Sequence, residues 1–174
     1  MNTKGVRLLP LQAEDREQFI LDNQEAFRFG ALEEFGCRDT HFEEDGEIIS
    51  RDVIEKSISL GEAYRIVVNG ETAGGAVVRV EGDKGDLELL FVSPAVHSKG
   101  IGFAAWKEIE ALYPRVREWE TMTPYFEKRN IHFYVNRCGF QIVEFFNEHH
   151  RPDAADGAEK YDGAEMFRFR KIIE

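Results

Sequence analysis

The chain has 174 residues, of which 43% are hydrophobic and 12% aromatic, so residues 1–174 have room for one folded domain with a real core. Its net charge of −11 argues against nucleic-acid and anionic-membrane partners, because both need a positive surface, and is compatible with a cationic substrate. No stretch approaches the roughly 18 apolar residues that cross a bilayer, and the N-terminus lacks the apolar region of a signal peptide, so we expect a cytoplasmic protein.

The first half of the chain predicts one strand and two helices, with an acidic loop between the helices. In order, these elements are the strand Val6–Leu11, the helix Ala13–Phe29, the loop Glu33–Glu47 and the helix Ser50–Leu60. Ser50 is a suitable N-cap for the second helix, and Val53, Ile54 and Ile58 follow helical spacing, which predicts that they share one face.

The second half begins with strands, because the apolar period changes from helical to alternating. Asn69-Gly70 predicts a tight hairpin between the first two of these strands. In order, the expected elements are the strands Ala63–Val68, Thr72–Val80 and Asp86–Val92, the helix Ile101–Tyr113, the strand Val116–Met122, the helix Tyr125–Arg137, and the strands Gly139–Phe146 and Glu165–Ile172. This order predicts an α/β (α+β) fold with a mixed, mostly antiparallel sheet and helices on both faces.

The segment Asp86–Gly102 is the most informative part of the sequence. It reads as a strand, a kink at Ser93-Pro94, and a glycine-containing turn that opens a helix. The first N–H groups of a helix have no intrahelical partner and lie at its positive end, so this segment is a candidate for binding a pyrophosphate. The glycine spacing and the element order differ from those of a Rossmann domain. A glycine-rich connector without a ligand is the alternative.

Two motifs follow one another about 30 residues apart. The first is Phe91-Val92-Ser93-Pro94 with His97-Ser98-Lys99-Gly100-Ile101-Gly102, and the second is Asn130-Ile131-His132-Phe133-Tyr134 with Cys138-Gly139-Phe140. Together they resemble the GNAT superfamily of acyl-CoA-dependent N-acetyltransferases, and the order of elements is similar from Val6 to about Ile172. The resemblance implies a GNAT-like N-acyltransferase fold, acetyl-CoA as co-substrate, and a small-molecule or peptide amine as acceptor.

The resemblance also implies which residues contact acetyl-CoA. The pantetheine arm would pair with backbone groups of Phe91 and Val92, and the pyrophosphate would accept backbone N–H groups of the turn and helix start. The full set of cofactor contacts implied is Phe91, Val92, His97, Ser98, Lys99, Gly100, Ile101, Gly102, Phe103, Ala104, Asn130 and Phe133. His97 stands where the family has Gln or Arg. Glycines in the turn let the backbone approach a phosphate closely.

Acetyl transfer to an amine needs a base, an oxyanion donor and an acid for the leaving thiolate. The candidates are the Glu88 carboxylate, the Val92 N–H and the Tyr134 hydroxyl. The family places its tyrosine four residues before the Gly of Gly-Phe, whereas Tyr134 is five residues before Gly139. One residue turns a helix by about 100°, so Tyr134 reaches the thiol only if the helix end is lengthened or bulged. The alternatives to these catalytic roles are that Glu88 forms a salt bridge and that Tyr134 packs in the core.

The segment between the first two helices often borders the acceptor in this family, so the resemblance implies Glu33, Glu34 and Phe35 as acceptor contacts. His41 and the neighbouring acidic residues are adjacent rather than convergent, so we expect a solvated loop and no metal site. Family members often dimerise through late strands, which makes a homodimer one implied assembly. A non-catalytic acyl-CoA-binding module on the same fold is the alternative function.

Overall fold

The computed structural model describes residues 5–35, 47–96, 99–153 and 163–174. Within these ranges the chain forms seven strands and four helices. The strands are β1 (Val6–Pro10), β2 (Glu62–Val68), β3 (Glu71–Glu81), β4 (Lys84–Val92), β5 (Glu118–Pro124), β6 (Gln141–Phe146) and β7 (Met166–Ile172). The helices are α1 (Arg16–Phe35), α2 (Arg51–Leu60), α3 (Ile101–Leu112) and α4 (Lys128–His132), and α4 continues as a π-helical turn, Phe133–Arg137.

The seven strands form one sheet in the order β1-β2-β3-β4-β5-β7-β6. All neighbouring strands are antiparallel except β4 and β5, which are parallel. Val78 packs with Trp106 of α3 on one face, and Val77 packs with Phe19 of α1 and Ile54 of α2 on the other. The predicted fold, a mixed and mostly antiparallel sheet with helices on both faces, is therefore confirmed.

The structure confirms two local signals of the sequence, the Asn69-Gly70 hairpin and the Ser50 N-cap. Asn69 and Gly70 have φ values of +53° and +87°, the left-handed pair that a two-residue hairpin requires, and they join β2 to β3. The Ser50 side chain accepts a hydrogen bond from the Val53 N–H at 3.3 Å, which makes Ser50 the N-cap of α2. Ile54 is buried as predicted, but Val53 is 42% exposed, so the inward face of α2 does not include it.

Two helix boundaries differ from the prediction. α1 continues to Phe35, so Glu33 and its two successors form the last helical turn and not the start of a loop. A single glycine inside a helix, here Gly30, costs only about 1 kcal/mol relative to alanine, and strong helix formers follow it. The predicted helix Tyr125–Arg137 begins only at Lys128.

Gly85 lies where β4 joins β5, and a side chain there would collide with the core. A Cβ added to Gly85 would lie 2.5 Å from two ring atoms of the fully buried Trp119, its partner in the β4–β5 register. We expect Gly85→Ala to lower the free energy of unfolding by about 1–3 kcal/mol, the usual cost of overpacking. Urea denaturation checks this, with Gly30→Ala as the control, since nothing lies within 4 Å of a Cβ at Gly30. Equal stability of the Gly85→Ala protein and the wild type would contradict the expectation.

No helix in the described part of the chain is both long enough and apolar enough to cross a bilayer.

Candidate acyl-CoA and acyl-transfer site

The centre of the sheet opens between β4 and β5. Their parallel register runs only from Lys84–Glu118 to Asp86–Glu120, although β4 continues to Val92. Just beyond the register, the Thr121 hydroxyl donates to the Leu87 carbonyl at 2.8 Å and closes the base of the gap. The second half of β4 therefore presents backbone groups to a gap in the middle of the sheet, which an extended ligand with its own amide groups can occupy. We call this opening the β4–β5 gap.

The end of β4 directs the backbone of Val92 into the β4–β5 gap. The Ser93 N–H donates to the Ala73 carbonyl at 2.7 Å, on the β3 side. Successive residues of an antiparallel pair point their backbone groups to opposite sides, so the Val92 N–H and carbonyl face away from β3. This orientation supports the prediction of Val92 as a backbone donor in the site, and by the same alternation Phe91 directs its backbone groups toward β3.

The N-terminus of α3 follows the end of β4 after a short 3-10 turn, Pro94–Val96. Gly100 is the N-cap, with φ +76° in the left-handed region that favours glycine. The first intrahelical bond runs from the Ala104 N–H to the Gly100 carbonyl at 3.0 Å. The N–H groups before it lack intrahelical acceptors, so they can donate to a phosphate. The predicted pyrophosphate contacts also include the Ala104 N–H, but this group already donates to the Gly100 carbonyl within the helix.

Three parts of the predicted site meet at Gly102. A Cβ added to Gly102 would lie 3.5 Å from the Phe133 ring and 3.6 Å from Val92 Cγ2. The start of α3, the end of β4 and the π-turn after α4 therefore converge around this glycine. Asn130 is near the same region, and its Nδ2 donates to Thr123 Oγ1 of β5 at 3.2 Å.

The end of α4 contains the bulge on which the role of Tyr134 depends. The Cys138 N–H donates to the Phe133 carbonyl at 3.0 Å, a bond that spans five residues and not four. A π-turn accommodates one more residue than an α-turn, so five residues from Tyr134 to Gly139 take the place of the family's four. Because the π-turn takes up the extra residue, the five-residue spacing does not rotate Tyr134 away from the position of the family's tyrosine.

Tyr134 lies in the core beneath the β4–β5 gap. It is 8% exposed and packs edge-on against Phe140, with ring centroids 5.6 Å apart. Its hydroxyl lies near the side chain of Thr121, the residue that closes the base of the gap. Burial raises the pKa of Tyr134 above its usual range, an effect that the neighbouring Thr121 side chain partly offsets. Tyr134 is therefore a core tyrosine, as the non-catalytic alternative predicted. Its hydroxyl also lies at the base of the gap, near Thr121.

Glu88 occupies a β-bulge in β4. Val77 pairs with Leu89 and Val78 with Leu87, so Glu88 has no partner in β3. Bulges redirect side chains. Glu88 Oε1 lies 3.3 Å from Arg79 Nη2, which is the salt bridge that the non-catalytic alternative predicted. Burial raises the pKa of the Glu88 carboxyl above its usual value, and the Arg79 charge opposes that rise.

The remaining predicted residues fall partly outside the described chain. His97 and Ser98 lie outside it, as do the side chains of Glu33, Glu34 and Phe35, whose backbone ends α1. The acidic segment around His41 also lies outside. Among the described residues, no three His, Cys, Asp or Glu side chains are grouped so that they could hold a metal ion.

Sequence reasoning missed two buried threonines of β5. Thr121 is 6% exposed and Thr123 3%, and both make the hydrogen bonds that connect β5 to the site. Their signal was present in the sequence, because they follow the core residue Trp119 at every second position and so place hydroxyls on the same buried face of the strand.

The fold and the β4–β5 gap agree with one family of acetyltransferases. Residues 25–140, more than half of the chain, match the model of the Acetyltransferase (GNAT) family. The chain therefore belongs to the GNAT acetyltransferase family, and the resemblance carried by the two motifs is confirmed.

Similar proteins extend over nearly the whole chain. Uncharacterized protein YrkN of Bacillus subtilis (strain 168) is 46% identical over 171 residues, covering 92% of this chain and 89% of that protein. An acetyltransferase from Thermus thermophilus is 15% identical with a TM-score of 0.68, covering 99% of this chain and 100% of that one. A GNAT family acetyltransferase from Elizabethkingia anophelis with acetyl-CoA bound is 14% identical with a TM-score of 0.63, covering 98% and 99%. At these identities the two solved structures show the shared fold alone.

Proposed function

We propose that the protein transfers an acetyl group from acetyl-CoA to a primary amine of a small molecule or peptide. The observation that carries this proposal is the β4–β5 gap, which leads to the glycine-capped N-terminus of α3. Membership of the GNAT acetyltransferase family supports it, as does the solved relative that has acetyl-CoA bound.

The geometry fits acetyl-CoA in two places. A pantetheine arm carries amide groups, and the Val92 backbone offers the matching donor and acceptor at the β4–β5 gap. A pyrophosphate fits the α3 N-terminus, where the N–H groups of Ile101, Gly102 and Phe103 precede the first intrahelical bond. Lys99 adds a positive charge in an acidic chain, and several charge-assisted N–H bonds supply most of the affinity.

Acetyl-CoA supplies an activated carbonyl carbon and a thiolate leaving group. The acceptor nitrogen forms a bond to that carbon, the carbon–sulfur bond breaks, and the amine loses a proton. In our proposal Glu88 takes this proton, the Val92 N–H stabilises the charge on the carbonyl oxygen, and Tyr134 donates a proton to the sulfur. Tyr134 is suited to keep its proton until that step, because burial raises its pKa.

The pH dependence of transfer tests the role of Glu88. Only the carboxylate form accepts a proton, so kcat/KM should rise with pH as Glu88 ionises, at a pH above the usual carboxyl range because burial raises the pKa of Glu88. Glu88→Gln should lower kcat/KM at pH 7 by about 100-fold and remove this acidic limb. Asp86→Asn is the control, since Asp86 pairs with the same Arg79 at 3.2 Å. An unchanged acidic limb in the Glu88→Gln protein would rule out this role.

A direct assay distinguishes the enzyme from the alternative, a non-catalytic acyl-CoA-binding module. The burial of Tyr134 and the Arg79–Glu88 ion pair are the observations that favour the module. The experiment mixes the protein with acetyl-CoA and a panel of amines and measures released thiol. Amine-dependent release supports the enzyme. Tight binding of acetyl-CoA without release for any amine supports the module.

A further inference from the structure

Thr121 is a buried polar residue in an apolar part of the sheet. On the same face of β5, two residues earlier, Trp119 is fully buried, and so is Phe169, the register partner of Thr121 in β7. Thr121 itself is 6% exposed. A buried hydroxyl lowers stability unless it has hydrogen-bond partners, and Thr121 has two polar neighbours, one in β4 and one in the π-turn after α4.

The neighbour in β4 lies at the point where the β4–β5 ladder ends. The last backbone pair is Asp86–Glu120, and the next pair along the two strands would be Leu87–Thr121. At that place the Thr121 hydroxyl donates to the Leu87 carbonyl at 2.8 Å, so a side-chain donor satisfies the β4 carbonyl where the ladder stops. This bond fixes Thr121 at the base of the β4–β5 gap.

The second neighbour is Tyr134, which its aromatic contacts place against Thr121. The Tyr134 ring centroid lies 5.6 Å from that of Phe140 and 5.6 Å from that of Phe169, the register partner of Thr121. Both phenylalanines belong to the same buried cluster as Tyr134. The hydroxyl of a buried tyrosine usually has a polar neighbour, and here the Thr121 side chain lies near it.

One hydroxyl can serve Leu87 and Tyr134 in turn. A threonine hydroxyl has a single hydrogen, which rotates to suit its acceptor, and in the free protein it is donated to the Leu87 carbonyl. When Tyr134 gives its proton to the departing sulfur, a phenolate replaces the phenol. Hydrogen bonds to a charged acceptor are roughly twice as strong as those to a neutral one, so the phenolate is the stronger acceptor for the Thr121 hydrogen.

The electrostatics of Tyr134 have the direction that such a donor produces. Burial in the apolar core raises the pKa of Tyr134, because it disfavours the charged phenolate. The Thr121 side chain lowers the pKa and so opposes this rise, which is the effect of a group that donates to the charged form. A phenolate at this place is therefore less unfavourable with Thr121 than without it.

We propose that Thr121 is a positioning residue for acetyl transfer, which holds the Tyr134 hydroxyl at the base of the β4–β5 gap and donates to the phenolate that remains when Tyr134 protonates the sulfur. The carbon–sulfur bond breaks, its electron pair stays on the sulfur, and the Tyr134 proton joins it there. Solvent returns a proton to the phenolate before the next turnover. This inference rests on the proposed function and extends it to β5, because it gives a role in the chemistry to a residue outside both motifs.

A double-mutant cycle tests whether Thr121 acts through Tyr134. Thr121→Val removes the hydroxyl and keeps a branched side chain of similar size. We expect this change to lower kcat about tenfold in the wild type, the effect of one hydrogen bond to a charged group, and by less than about twofold in the Tyr134→Phe protein, which forms no phenolate. The KM for acetyl-CoA should change by less than about twofold in both. The measured rate is thiol release from acetyl-CoA with the fastest acceptor of the amine panel.

Thr121→Ser is the matched control, because it keeps the hydroxyl and loses only a methyl group, so it should retain most of the kcat that Thr121→Val loses. A purely structural role would lower kcat by equal factors with and without the Tyr134 hydroxyl. Equal factors, an unchanged kcat in Thr121→Val, or a Thr121→Ser protein as slow as Thr121→Val would overturn the role of Thr121, while thiol release by the wild type would leave the proposed function intact. No amine-dependent release by the wild type would overturn both.

Discussion

Replacing Tyr134 by phenylalanine is expected to lower kcat by about 100-fold or more while leaving the affinity for acetyl-CoA unchanged. A positioned proton donor contributes about 10²–10⁴-fold, and the substitution removes only the hydroxyl. The ring keeps its packing against Phe140, and Thr121 keeps its hydrogen bond to Leu87, so the fold should lose no more than about 1 kcal/mol. Steady-state kinetics of thiol release and a thermal melt measure the two effects.

Tyr113 provides the control for the loss of a tyrosine hydroxyl. It ends α3, and its hydroxyl bonds to Glu62 and Tyr64, away from the β4–β5 gap. Tyr113→Phe should therefore leave kcat within about twofold of the wild type, as for a surface change remote from the chemistry. If Tyr134→Phe retained full kcat, the hydroxyl would be a structural group and the acid would have to be sought elsewhere.

Replacing Gly102 by glutamate should weaken acetyl-CoA binding by about 100-fold or more, as measured by isothermal titration calorimetry. The new carboxylate would stand at the helix terminus where we place the pyrophosphate, so it would repel the ligand and compete for the same N–H groups. The free protein should keep about its present stability, because the better helix propensity and the favourable charge in the first turn offset the packing of the longer side chain beside Phe133 and Val92. Weaker binding with equal or higher Tm would locate the effect in the site.

Gly30→Glu is the matched control for this substitution. Gly30 lies within α1, and a Cβ there has nothing within 4 Å, so the same exchange adds the same charge and helix propensity at a different place. It should leave acetyl-CoA affinity unchanged. Equal affinity of the Gly102→Glu protein and the wild type would remove the α3 N-terminus from the cofactor site.

The parts of the fold that could be predicted from the sequence depend on short-range chemistry. The left-handed pair Asn69-Gly70, the Ser50 cap and the glycine-started α3 each need only a few neighbouring residues, and all three occur as expected. The length of α1 was underestimated, because the acidic composition after Gly30 resembles a loop although its residues are good helix formers.

The site was predictable where it coincides with a motif and unpredictable where it depends on distant pairing. The motif is the source of the roles we propose for Gly100 and Val92, but the β4–β5 gap exists because the register stops at Asp86, which no local pattern specifies. The five-residue spacing of Tyr134 required a bulge, and the π-turn supplies it. The complete burial of Asn23 follows only from the packing of α1 on β4, so the sequence showed just a polar residue on an apolar helix face.

A crystal structure of the protein with CoA would decide whether the β4–β5 gap and the α3 N-terminus form one cofactor site. We predict a pantetheine arm between β4 and β5 that hydrogen-bonds the Val92 backbone, a pyrophosphate at the N–H groups of Ile101 to Phe103, and a sulfur within hydrogen-bonding distance of the Tyr134 hydroxyl, either directly or through one water. CoA bound elsewhere, with the β4–β5 gap filled by side chains, would contradict the proposed site.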